Sequence, residues 1–177
     1  MELVPPPVLS LHDHAVLALL VERPRHGFAL ARELGDDGPL GRVWRVRRPQ
    51  VYRSLARLED LSLARPDRGE PGDGGPTRTI MAPTPAGDRE ARRWLAAPVD
   101  HVRDVRTELL LKIVLSRRLG IDPAPLLAAQ AARFQPVRAS LAADLEQATG
   151  EDRLVALWRA EASAAVGRFL DRAHEIV

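Results

Sequence analysis

The sequence predicts a mainly α-helical chain interrupted by one small β-hairpin. Three observations lead there. Apolar residues recur at helical spacing along most of the chain. The candidate extended stretches are short and flank a glycine- and proline-rich segment at residues 67–76. From Asp100 onward no strand signal remains. The expected division is a helix-and-hairpin domain over 1–98 and a helical domain over 99–177.

The first helix is expected over residues 8–22, with Ser10 as a possible N-cap and Val16, Leu17, Leu20 and Val21 on its apolar face. Pro24 stops it. A second helix over 26–34 carries Gly27, Leu30, Ala31 and Leu34 at i, i+3, i+4, i+7. Residues 35–41 hold three glycines and a proline and read as a loop. Pro49 suits the first position of a third helix, which runs to about Asp60. Val51, Leu55 and Leu58 form its apolar arc, and Gln50, Arg53, Ser54 and Arg57 a separate polar arc. Residues 63–66 are a short strand, 67–76 a tip with four glycines and two prolines, and 77–82 the return strand. Thr84 caps a fourth helix that Pro98 ends, with Asp88 and Glu90 near its positive dipole end.

Three helices follow. The one over 103–119 is apolar on several sides, so burial from more than one direction is expected. In 123–148, Leu127, Phe134, Leu141 and Ala148 stand seven apart, like a coiled-coil seam, and Pro136 is expected to kink the helix. The last, 151–176, carries Leu154, Trp158, Ala162, Ala165, Phe169, Ala173 and Ile176 along one stripe. The apolar excess of these three helices predicts a homodimer.

Composition narrows the function. With 45% hydrophobic and 28% charged residues in 177, the chain belongs among globular proteins. The absence of cysteine excludes disulfides, thiolate zinc sites and cysteine nucleophiles. The longest apolar run, 15–21, is too short to span a bilayer, so no membrane partner and a cytoplasmic location are expected. His12 and His14, two apart, do not share a helix face, which argues against a metal site. The glycine-rich tip lacks the Gly-Lys-Ser/Thr ending of a phosphate loop, and no nucleophile elbow or catalytic carboxylate pair is recognisable. Neither an enzyme nor a cofactor is expected.

The formal charge is only +2, yet all cations but Lys112 are arginine. Between Gly38 and Leu58 there are six arginines and no acid. Helix, helix, loop, helix, hairpin is the order of a winged helix-turn-helix, and the basic block falls on its third helix. Such a block suits insertion into a major groove, where phosphate neutralisation supplies affinity and side chains near the helix start reach base edges. Gln50 and Arg53 are candidate base readers, since Gln pairs with adenine and Arg with guanine. Arg47, Arg48, Tyr52 and Arg57 are candidate phosphate contacts, Arg45 is a further DNA-binding candidate, Ser54 lies on the same arc, and Arg78 on the wing is a phosphate or minor-groove candidate. Local packing competes in each case. Tyr52 could lay its ring on the core, Arg57 could pair with Glu59, Asp60 or Glu33, and Arg78 could be merely solvated. Trp44 reads as a packing anchor.

The segment 24–30, Pro-Arg-His-Gly-Phe-Ala-Leu, resembles the P-x-H-G-Y-x-L signature of PadR-like regulators. Residues 44–59 resemble that family's recognition helix, of the type G-Q-L-Y-x-x-L-x-x-L-E, and Thr84-Pro85-Ala86-Gly87 resembles its L-T-x-x-G motif. The resemblance covers roughly residues 9–97. It implies a homodimeric repressor on a palindromic operator, with Gln50, Tyr52 and the flanking arginines on DNA. Some relatives bind flat aromatic ligands, for which Trp94 and Trp158 are the candidates here. Pro49 replaces a common Gly, Phe28 the usual Tyr, and Met81 and Pro83 the usual Tyr and Leu. Pro83 removes a ladder donor, so a short wing is expected. The competing function is a winged-helix module that binds protein, whose third helix would show an apolar or acid-paired face.

Overall fold

A computed structural model describes residues 8–70 and 78–177. The chain divides into two compact units, Met1–Leu95 and Ala96–Val177.

The N-terminal unit is built around α1 (Leu11–Glu22). Ser10 caps it through a reciprocal box: its hydroxyl accepts from the Asp13 N–H at 3.3 Å, and the Asp13 carboxylate accepts from the Ser10 N–H at 2.9 Å. Residues 15–20 are all fully buried, so α1 is a central helix covered on every side, where a single apolar face was expected. Helix α3 (Arg48–Asp60) packs against it, and α2 (Gly27–Leu34) packs against α3. Arg48 takes the first position of α3 and Pro49 the second, one place later than expected.

Helix α3 ends on a double hydrogen bond. The Leu63 N–H donates to the Leu58 carbonyl and the Ser62 N–H to the Glu59 carbonyl, both at 2.8 Å. This arrangement needs a left-handed residue, here Ser62 at φ 56°. The same pattern at the end of α5 uses Gly120 at φ 67°.

Strands β1 (Ala64–Glu70) and β2 (Arg78–Pro83) form the antiparallel wing. β1 continues through Asp67, Arg68, Gly69 and Glu70, which sequence patterning assigns to the tip; an irregularity between Pro66 and Arg68 absorbs the misfit. The rest of the expected tip, and Thr77, lie outside the described residues. Pro83 pairs with Ala64 at the base of the ladder, so its missing donor does not shorten the wing. A bridge between Arg25 and Met81, two backbone bonds of 3.1 Å, adds a third extended segment that sequence patterning did not reveal. Helix α4 (Pro85–Ala96) follows, capped by the Thr84 hydroxyl, which accepts from the Gly87 N–H at 3.1 Å. A Cβ on Gly87 would collide with the Leu63 carbonyl, which explains the glycine of this motif.

The C-terminal unit is wholly helical. The expected helix over 103–119 starts as a 3₁₀ turn, Val102–Asp104, and a π turn, Val105–Leu109, before α5 (Leu110–Arg118). Helices α6 (Ala124–Gln147) and α7 (Gly150–Ile176) pack along each other. Leu127, Phe134 and Leu141 of the expected seam are buried, and α6 continues through Pro136. Polar groups within this core are satisfied, as burial requires. Gln130 accepts from the Val99 N–H at 2.7 Å and donates to its carbonyl at 3.0 Å. Lys112, 2% exposed, pairs with Glu108 and donates to the Ala97 carbonyl, both at 2.8 Å. Burial lowers its pKa, and Glu108 works against that shift. Helix α7 buries Ser163, Gly167, Leu170 and Ala173. Of the expected stripe only Ala173 is among them, whereas Leu154, Trp158, Phe169 and Ile176 face outward.

Candidate nucleic-acid interface

Helix α3 is amphipathic, with Val51, Leu55 and Leu58 fixed in the core of the N-terminal unit. Its remaining positions point outward, but the structure redistributes the polar arc. Ser54 is 3% exposed, which corrects its place as an open donor; it lines a recess of about 480 Å³ together with His12, Asp13, Gln50, Arg53 and Arg57. The cause is helix rotation: Ser54 adjoins Val51, Leu55 and Leu58 on the helical wheel.

Gln50 is half-buried, and its Oε1 accepts from the Arg47 N–H at 3.2 Å, capping the first turn of α3. That oxygen is the one an adenine amino group would need, so two-point reading of adenine would share it with the cap bond through its second lone pair or displace that bond. The Arg57 guanidinium stands 3.5 Å from the buried Asp13 carboxylate and donates to the Val8 carbonyl at 3.0 Å. Its partner is therefore the start of α1, not Glu59, Asp60 or Glu33. Arg45 pairs with Asp36 at 2.7 Å, both exposed, a geometry with small net energy that phosphate can displace. Arg47, Arg48 and Arg53 are exposed, and no ion pair holds them among the described residues.

His12 lies beside Arg53 on this side of the unit. Its ring is 4.5 Å from that of the half-buried Trp44. Desolvation lowers the His12 pKa; Asp13 raises it, and Arg53 lowers it further.

A second cluster joins α2, α3 and the wing. The Arg48 guanidinium carbon lies 5.4 Å from the Phe28 ring centre and 5.6 Å from that of Tyr52. Arg78, at the start of β2, lies 5.6 Å from the same Phe28 ring. Gly27 makes this close assembly possible, since a Cβ there would sit 2.8 Å from a Tyr52 ring carbon. Tyr52 thus packs its ring and stays partly exposed. Phe28, whose cationic neighbours come from two elements distant in sequence, α3 and β2, is not singled out as a site residue by the sequence. Its signal was present, in the 24–30 motif, but nothing local tied it to Arg48 and Arg78.

The two tryptophans with an aromatic-ligand reading are differently placed. Trp94 is buried on α4, its ring stacked 4.9 Å from His14, which stands 3.3 Å from Glu90. Trp158 on α7 is 74% exposed. Among the described residues no helix is long and apolar enough to cross a membrane.

An arginine-rich helix on the outer side of a helix-turn-helix, beside a two-stranded wing, defines a winged helix-turn-helix module. The family model described as "Transcriptional regulator PadR-like family" matches residues 16–93. Over 97 residues the chain is 31% identical to a probable transcriptional regulator of Mycobacterium tuberculosis. That match covers 55% of this chain and 50% of the relative, so the chain spans about half the length of the curated relative it matches. Among solved structures, it is similar to Bacillus subtilis PadR in complex with operator DNA, at 18% identity and a TM-score of 0.48, covering 94% of this chain and 99% of that one. It is also similar to the same protein in complex with p-coumaric acid, at 17% identity and a TM-score of 0.44, covering 94% and 98%. The N-terminal module is thus similar, over residues 16–93, to the PadR-like family of transcriptional regulators.

Proposed function

We propose that this chain is a sequence-specific, double-stranded-DNA-binding repressor that acts as a homodimer on a palindromic operator. The observation that carries the reading is the outer face of α3. Its apolar arc is held in the core, while Arg47, Arg48 and Arg53 stand open beside Gln50, within a stretch of six arginines and no acid. Arg53 is the base reader and Gln50 its neighbour; Arg47, Arg48 and Arg78 neutralise phosphates, and Arg45 joins them by exchanging Asp36 for phosphate. The competing protein-binding module called for an apolar or acid-paired face. Arg57 is acid-paired, but the open cations around it favour a polyanion.

Dimerisation rests on the outward stripe of α7. Leu154 is 71% and Ile176 72% exposed, on the same helix as Trp158. A second copy of the same stripe is the partner that would cover it by two-fold symmetry. Half-sites separated by one helical turn or a multiple of it would suit such a dimer. Of the two tryptophans, Trp158 is the one exposed in a single copy, so a small aromatic effector would stack on it between the two copies.

Fluorescence anisotropy of the purified chain on duplex DNA from its own upstream region, at several salt concentrations, tests the reading. Binding at least ~10³-fold tighter than to random DNA, with a steep salt slope, is expected. Equal, weak binding to both DNAs would move the protein-binding module ahead. Repeating the titration with small aromatic acids tests release.

A further inference from the structure

The Phe28 ring is 40% exposed, yet two guanidinium groups from different elements gather on it. Arg48 comes from the first turn of α3 and Arg78 from the start of β2. Among the described residues neither ends on a carboxylate, unlike Arg45 and Arg57, which do. Two like charges drawn to one ring repel each other, and the negative face of that ring, joined for Arg48 by the Tyr52 ring, holds them. Guanidinium groups seated on a ring keep their N–H edges free for oxygen acceptors. Both arginines line a recess of about 640 Å³ shared with His26, Tyr52 and Glu59. An anion entering between the arginines would relieve their repulsion, whereas Glu59 disfavours its deeper entry.

We propose that Phe28 is a positioning residue that seats Arg48 and Arg78 as a two-armed clamp on the phosphates of one DNA strand, joining the recognition helix to the wing. The inference rests on the DNA-binding reading and deepens it. An aliphatic side chain would fill the same space without attracting either cation. The ring therefore determines whether the two arginines bind as a unit or separately.

The test compares wild type, Phe28→Leu and Phe28→Tyr on operator duplex across a salt series, with thermal melting of each. Phe28→Leu is expected to weaken binding by about 5- to 30-fold, the loss of two cation–ring contacts. It should also flatten the slope of log K against log salt by about 1–2, with little change in melting temperature. Phe28→Tyr, which keeps the ring, should restore both affinity and slope. A cycle with Arg78→Ala supplies a second check: its effect should shrink several-fold in the Phe28→Leu background. If wild type binds and Phe28→Leu binds equally well with an unchanged slope, the clamp is overturned alone. Failure of Phe28→Tyr to rescue, or full additivity in the cycle, also overturns it. A wild-type chain without salt-dependent DNA binding overturns the DNA reading and the clamp together.

Discussion

Helices α3 and α7 are both amphipathic, but the faces they leave uncovered differ in chemistry. α3 turns its aliphatic residues inward and leaves guanidinium groups in water. α7 turns Ser163, Gly167, Leu170 and Ala173 inward and leaves Leu154, Trp158 and Ile176 in water. Exposed arginine is cheap to solvate, so α3 is stable as it stands and gains by meeting an anion. Exposed tryptophan and leucine in one stripe are a standing cost, relieved by covering them. The two helices thus point to two kinds of partner, nucleic acid for one and protein for the other.

The comparison is tested most strongly where the core supports it. Phe134→Ala, which empties a fully buried position beneath α7, should cost about 3–5 kcal/mol in denaturant unfolding. A loss under 1 kcal/mol would mean that α7 is not anchored through α6. Next come the outer faces. Trp158→Asp should weaken the dimer by about 2 kcal/mol in sedimentation equilibrium without lowering the melting temperature of a dilute sample. Arg53→Ala should do the converse. It should leave sedimentation unchanged and cost about 1–3 kcal/mol on the operator, with relaxed specificity. Equal loss on random DNA would reduce Arg53 to a phosphate contact.

Two smaller effects sharpen the account of the N-terminal unit. Ser62→Gly should stabilise by about 0.5–1 kcal/mol, because Gly120 fills the equivalent left-handed position in the other unit without side-chain strain. The effect is read as a shift in denaturation midpoint. His12 titrates below its ordinary 6.5 in the folded chain, chiefly through desolvation. Between the folded value and 6.5 the unfolded chain binds more protons, so His12 makes stability rise with pH through that window and fall on acidification. His12→Gln should remove that slope; an unchanged slope would assign it to other groups.

Much of this was legible in the sequence because it depends on near neighbours. Ser10, Thr84 and the apolar arc of α3 act within a few residues, and periodicity reports them. Ser54 shows the limit. A four-residue spacing put it with Gln50, Arg53 and Arg57, but the burial of a boundary position depends on how the helix is rotated against α1. The bulge of β1 is legible only against its partner strand, since Asp67 and Gly69 are turn formers in isolation. The Arg25–Met81 bridge and the Phe28 cluster join residues some fifty apart, and no local pattern encodes them. For α7 the stripe was visible, but which face packs internally was not: small residues at Ser163 and Gly167 let α6 approach there.

The burial of Lys112 has a practical consequence for labelling. It is the one lysine of the sequence, and its amine is enclosed between Glu108 and a backbone carbonyl. Acylating reagents therefore meet no accessible side-chain amine on the folded chain, and the arginine face escapes them. Acylation of Lys112 becomes a clock for opening of the helical unit, read by mass spectrometry as a mass increment on the peptide that carries it.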